Sequence, residues 1–211
     1  YTHAFGNPSV ANERRIRDLI RESMSIVPDL KFGLSFLVSE WNDVVDAWQV
    51  TSWEDYRDVR RLGRKTRLSE TQRADLWKVF EKVLDLLRQE RLTTEAGIFS
   101  RLTDNFAVRH NIPYDYVVVD EAQDISVPQL RFLAEIGRDK PNALFFAGDL
   151  GQRIFQQPFS WKSLGVEVRG RAKTLQINYR TSHQIRMQAD RLLGVEVSDV
   201  DGNVEVRKGV K

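Results

Sequence analysis

The run Tyr116-Val117-Val118-Val119 leads straight into Asp120-Glu121-Ala122-Gln123-Asp124. Three carboxylates and an amide thus crowd into five positions, the densest set of groups in the chain able to hold a cation or move a proton. An unbroken β-branched run predicts a strand buried on both faces, as inside parallel sheets. Acids at the carboxyl end of such a strand stand where open α/β sheets place their ligands. In a nucleotide-hydrolysing enzyme the first acid suits Mg²⁺ and the second suits polarisation of an attacking water. The competing reading is a strand that ends in solvent, with Asp124 capping the helix that follows.

Two later segments repeat the arrangement. Ala143 to Ala147 predicts a second buried strand ending at Gly148-Asp149, and Thr174 to Ile177 a third ending at Asn178-Tyr179-Arg180. Between them, Val127 to Gly137 predicts a helix, with Pro128 near its first turn and Gly137 at its end. A short helical piece is expected at Trp161 to Leu164, and a longer helix runs through Leu193. If the strands are parallel, their polar ends share one rim.

The chain before Pro113 has a different character. Ala11 to Ser23 carries Ile16, Leu19 and Ile20 at helical spacing. Leu30 to Trp48 is apolar enough to bury most of its circumference. Thr51-Ser52-Trp53-Glu54 and Ser69-Glu70-Thr71-Gln72 both fit capping boxes. The first opens a short helix ending near Gly63, the second a long amphipathic one through Leu87. A last helix spans about Thr94 to His110. Three regions follow: a helical subdomain at 1–112, an alternating strand–helix core at 113–193, and a tail at 194–211. In the tail, Val195, Val197, Val204 and Val206 flank Asp201-Gly202 and predict a hairpin.

Composition sets the outer limits. The 211 residues, 41% hydrophobic and 29% charged, describe an ordinary globular chain long enough for a sizeable core. No stretch approaches the roughly 18 consecutive apolar residues of a membrane span, and a cytoplasmic location is expected. Cysteine is absent, which excludes disulfides and thiolate metal sites, and His3, His110 and His183 are too scattered for zinc. The chain does not open on Met and is expected to be part of something longer. Net charge is only +2, but Arg60, Arg61, Arg64, Lys65 and Arg67 cluster with Arg57, opposed by Asp58 alone. Such a turn suits phosphates, and equally suits a solvated helix end.

Val118 to Asp124, Ala147-Gly148-Asp149-Leu150-Gly151-Gln152-Arg153-Ile154-Phe155, and Leu175-Gln176-Ile177-Asn178-Tyr179-Arg180-Thr181 occur in a telling order and spacing. Together they resemble motifs II, III and IV of superfamily 1 helicases of the UvrD/Rep type, over roughly Tyr114 to Ile185. The resemblance implies an α/β fold: a partial RecA-like P-loop NTPase motor domain with a parallel sheet, preceded by a mostly helical inserted domain. It implies ATP and Mg²⁺ as cofactors, with Asp120 holding the metal and Glu121 orienting and deprotonating the attacking water. Gln152 and Arg180 would reach the γ-phosphate, with Gln123, Asp124 and Asp149 in the network around them. The implied function is ATP-driven movement on single-stranded DNA and duplex unwinding, in repair or recombination. DNA would meet Arg61, Arg64, Lys65, Arg67 and Phe155, and Trp161 would either stack on a base or lie in the core. The partners implied are single-stranded or junction DNA and the remainder of a helicase chain.

The sequence also departs from the pattern. The spacer between Gln152 and Trp161 is longer than usual, motifs V and VI are missing, and no G-x-x-x-x-G-K-[ST] segment occurs. Half an ATP site is expected, with negligible turnover by these residues alone. A helicase-like scaffold without hydrolysis is the alternative from another class. A metal-dependent nuclease using Asp120, Glu121 and Asp149 leaves Gln152 and Arg180 without a role.

Overall fold

The computed structural model describes all residues except 62, 63, 65, 110, 111, 150–158, 169, 172, 174, 176–181, 193–195, 199–203 and 207–211. After a one-turn helix α1 (Thr2–Phe5), strand β1 (Ser9–Val10) pairs in parallel with β2 (Leu92–Thr93). This pairing has no counterpart in the sequence reading, and it ties the N-terminal segment to the end of the longest helix.

The helical unit forms where apolar spacing and caps predict it. Helix α2 (Glu13–Ser23) is capped by Asn12, which accepts from Arg15 N at 2.8 Å, and buries Ile16, Leu19 and Ile20. Helix α5 (Glu70–Gln89) opens on the expected box: Ser69 Oγ accepts from Gln72 N at 3.2 Å, and Gln72 Oε1 from Ser69 N at 2.9 Å. At α4 (Trp53–Asp58) the cap is Ser52, whose Oγ accepts from Asp55 N at 3.1 Å and donates to Asp55 Oδ2 at 2.7 Å, so the cap lies one residue later than expected and no reciprocal box closes. That helix stops at Asp58, well short of Gly63. The apolar stretch from Leu30 is helical only from α3 (Leu34–Glu40) onward, then widens into a π-helix at Trp41–Asp46. Leu19, Ile20, Leu37, Trp41, Tyr56, Leu76 and Phe80 fill the shared core.

One carboxylate lies inside this core. Glu40 is fully buried and accepts from Arg61 at both oxygens (Nε 2.7 Å, Nη2 2.6 Å), from Arg64 at 3.0 Å and from the Tyr56 hydroxyl at 3.1 Å. Arg64 also reaches Asp43 at 2.6 Å and lies over the Phe36 ring. The chain between α4 and α5 is thereby pinned to α3 and the π-helical turn. Burial first, and then the Glu40 charge, push the Tyr56 hydroxyl well above its ordinary range.

The second unit is the α/β part. Strand β3 (Val117–Val119), helix α7 (Val127–Gly137) and strand β4 (Leu144–Phe146) form a parallel pair and its crossover, in the register Val117↔Leu144, Val118↔Phe145, Val119↔Phe146. Among the described residues, the pair is covered on one face, by α7 and the segment from Phe159 to Val166. Opposite neighbours Val118 (75% exposed) and Phe145 (62%) face outward, which corrects the expectation of a strand buried on both faces. Helix α6 (Glu95–Arg109), assigned by sequence to the helical half, packs on α7 through Phe99 and Phe106 against Phe132. Beyond, α8 (His183–Leu192) and the antiparallel pair β5 (Glu196–Ser198) and β6 (Val204–Val206) match the expected helix and hairpin. The expected third strand lies outside the described residues. The whole is a mixed helix–strand fold with short parallel pairs, and no described helix is long and apolar enough to cross a membrane.

Trp48 joins the units by packing against both cores. Its ring lies under the Arg131 guanidinium, 5.6 Å from the centroid, and its carbonyl accepts from Arg131 at 3.2 Å. Beside it, Asp46 Oδ1 accepts from Thr94 Oγ1 at 2.6 Å and Gln49 Nε2 at 2.8 Å.

Two stability measurements follow from these contacts. Glu40→Gln leaves Arg61 buried without a counter-charge and is expected to cost about 3–5 kcal/mol in urea unfolding. Asp58→Asn, which breaks an exposed pair, is expected to leave the midpoint unchanged. Burial pushes the Asp46 carboxyl above its ordinary value, against the bonds from Thr94 and Gln49. Its stabilising contribution is therefore full below the unfolded-state pKa and is lost as pH rises through the raised one. Asp46→Asn keeps the acceptor without the charge. Its stability relative to the native protein should improve from acid to neutral pH, and a pH-independent difference would contradict this.

Candidate active site

The apolar run ends as a strand at Val119, and the chain then turns sharply. Glu121 adopts the left-handed conformation (φ 51°, ψ 43°), which costs a non-glycine residue about 1–2 kcal/mol. Asp120 Oδ1 accepts the Glu121 N–H at 2.9 Å, bracing this turn from the side chain before it. A single 3₁₀ turn, Ala122–Asp124, brings Ile125 into the core and delivers the chain to α7. The N-cap of α7 is Ser126, whose N–H donates to Gln129 Oε1 at 2.9 Å. Asp124 therefore does not cap that helix, which removes one half of the alternative reading, while the exposed Asp120 and Glu121 agree with its other half, a strand that ends in solvent.

The end of β4 is stitched to this turn by backbone. Ala147 N donates to Val119 O, and Ala122 N donates to Ala147 O, each at 2.8 Å. Gly148 comes next, and a Cβ there would sit 2.5 Å from Gln123 Oε1 and 3.0 Å from Ala122 N. Gln123 is buried (6% exposed) and spans both strand ends. Its Nε2 donates to Glu121 Oε2 at 2.5 Å, and its Oε1 accepts from Asp149 N at 3.0 Å. Asp120, Glu121, Gln123 and Asp149 are thus gathered at one rim. Asp120, Glu121 and Asp124 are exposed. Sequence reading took Gly148 only as the end of the second strand; a glycine standing directly before the strand-end acid Asp149 was the available signal.

Other expected site residues fall elsewhere. Gln152, Phe155, Arg180 and Lys65 lie outside the described residues. Trp161 is a core residue (7% exposed), edge-on to Phe146 at 4.9 Å and 90°, so it is not a base-stacking platform in this structure. The basic turn is corrected as well. Arg61 and Arg64 point inward to Glu40 and Asp43, which removes their guanidinium groups from a phosphate-facing surface. Arg60 and Arg67 remain exposed. The missed signal was Glu40 itself, an acid inside an otherwise apolar helix, which needs a buried cation.

Among the described residues, no cluster of three or more His, Cys, Asp or Glu side chains is arranged to hold a metal alone. Mg²⁺ does not need one, since it is typically bound by one or two carboxylates together with substrate phosphates. The exposed Asp120 carboxylate, fixed at a strand end beside Glu121, fits that requirement.

A parallel strand pair whose acid-bearing ends meet at one rim defines the class: an α/β protein with a candidate site for a metal–phosphate ligand. The model of the UvrD/REP helicase N-terminal domain matches residues 37–161, more than half of the chain. The chain belongs to the UvrD/REP helicase family, whose members use ATP and Mg²⁺ and bind DNA. The match covers both strand ends and most of the helical unit, and stops before Asn178-Tyr179-Arg180. No curated protein matches significantly, and no solved structure does.

Gly148→Ala is expected to cost about 1–3 kcal/mol of stability, because the new methyl collides with Gln123 and with backbone. Gly33→Ala, where the methyl meets nothing within 4 Å, serves as the control. Equal denaturation midpoints for the two variants would contradict the close approach.

Proposed function

We propose that this chain is the metal- and γ-phosphate-facing part of an ATP-driven DNA helicase, within a RecA-like motor carrying a helical insertion. The supporting observation is the rim itself: exposed Asp120 and Glu121, held by a left-handed turn and tied to the Gly148-Asp149 strand end. Asp120 would hold Mg²⁺, which screens phosphate charge and orients the nucleotide. Glu121 orients a water in line with the γ-phosphate and accepts its proton at the carboxylate. Gln152 and Arg180 contact the γ-phosphate and offset charge as it develops.

No G-x-x-x-x-G-K-[ST] segment occurs in these 211 residues. In the motor reading the phosphate cradle and the second motor domain are supplied from outside these residues. That absence also favours the scaffold reading, in which the fold binds DNA or a partner without turnover. For DNA, the exposed Arg60 and Arg67 replace Arg61 and Arg64 as phosphate contacts, and Phe155 remains the aromatic candidate.

The deciding measurement is ATPase rate on the intact parent protein, with and without single-stranded DNA. DNA-stimulated turnover that falls by about 10²–10⁴ in Glu121→Gln is expected of a general base. DNA binding with no turnover in the native protein would move the assignment to the scaffold.

A further inference from the structure

We propose that Gln123 is a positioning residue: one buried amide that sets the direction of the Glu121 carboxylate and ties it to the Gly148-Asp149 strand end. The proposal rests on the assignment of Glu121 as the base, and departs from the sequence expectation that Gln123 touches the nucleotide.

The chemistry of the amide carries the idea. A glutamine offers a carbonyl acceptor and an NH₂ donor at the same end, and both are used here in opposite directions. The acceptor holds a backbone N–H of the β4 end, and the donor holds the side chain of the β3 end. With the acceptor occupied and the group buried, the side chain is spent on protein contacts and is poorly placed to bind phosphate. Two further observations agree. The space for Oε1 exists only because residue 148 lacks a Cβ. The left-handed backbone at Glu121 turns its carboxylate back over the 3₁₀ turn, where Nε2 meets it.

The consequence is mechanical. Glu121 is exposed, so without this bond its carboxylate samples several rotamers. A base misplaced by about 1 Å loses on the order of 10²-fold in rate. The bond from Asp149 N fixes the other end of the amide, so the direction of the base is set by the paired strand ends and not by Glu121 alone.

The test uses the full parent protein and two variants of matched volume. Gln123→Glu keeps an acceptor for the Asp149 N–H but loses the donor to Glu121, and Gln123→Met loses both. For Gln123→Glu, kcat should fall by about tenfold to 10²-fold, with KM for ATP within about twofold of native. Gln123→Met, which frees the Asp149 end as well, should fall at least as far. Activities are compared per mole of folded protein, with the thermal midpoint measured alongside, because an unpaired or charged group buried here lowers the midpoint of either variant. Native kcat in both variants would overturn the proposal, as would a raised KM with unchanged kcat, the mark of a nucleotide ligand. So would losses of activity that merely track losses of folded protein. Glu121→Gln run in parallel separates the two failures. Turnover retained there sinks the base assignment and the positioning role with it, whereas an inactive Glu121→Gln beside unaffected Gln123 variants sinks the positioning role alone.

Discussion

Two backbone hydrogen bonds beyond the formal strand ends, Ala147 N to Val119 O and Ala122 N to Ala147 O, hold the candidate site together. They extend the β3–β4 ladder into the turns that follow, so residues separated by a whole helix in sequence are fixed as neighbours. Everything polar at the rim depends on this. Glu121 accepts a strained backbone, Gly148 gives up its side chain, and Gln123 is buried with its amide fully committed. Each is locally unfavourable and becomes tolerable because the paired backbone leaves no alternative.

A similar trade governs the helical unit. Glu40 lies without solvent among Trp41, Leu37 and Tyr56, an expensive place for a charge. Arg61 in a two-point contact, Arg64 and the Tyr56 hydroxyl satisfy it together. The gain is geometric: the loop between α4 and α5 has one seat. The same contacts take two arginines off the surface, so a basic turn in sequence presents much less charge to a ligand than its composition suggests.

The two units meet where Trp48 contributes to both cores and Arg131 covers its ring. Helix α6 belongs by packing to the strand-bearing side, so the seam runs through Asp46, Trp48 and Gln49 on one side and Thr94 on the other. A family match that begins in α3 and ends at Trp161 crosses this seam. The helical unit from Leu37 onward is therefore matched as part of the same family domain as the acid-bearing strand ends, and α1, α2 and β1 lie outside the match.

The sequence by itself determined what local chemistry controls. Helices α2, α5 and α7 lie within a residue or two of their predicted spans, because apolar spacing and the Asn12, Ser69 and Ser126 caps act over a single turn. The acid clusters at two strand ends were also legible, since Asp120 and Asp149 follow apolar runs that have no other reason to stop there. Only the tertiary structure decided which charges meet and which faces are covered. Glu40 and Arg61 are 21 residues apart, and nothing local says that one swallows the other. Val118 and Phe145 face outward because the described fold supplies helices to one side of the strand pair, a property of packing that no β-branched run encodes. Trp161 lies in the core for the same reason: Phe146 and Phe159 are there to receive it. The spanning role of Gln123 needs the exact approach of Gly148, and a distance across a fold is set only when the fold closes.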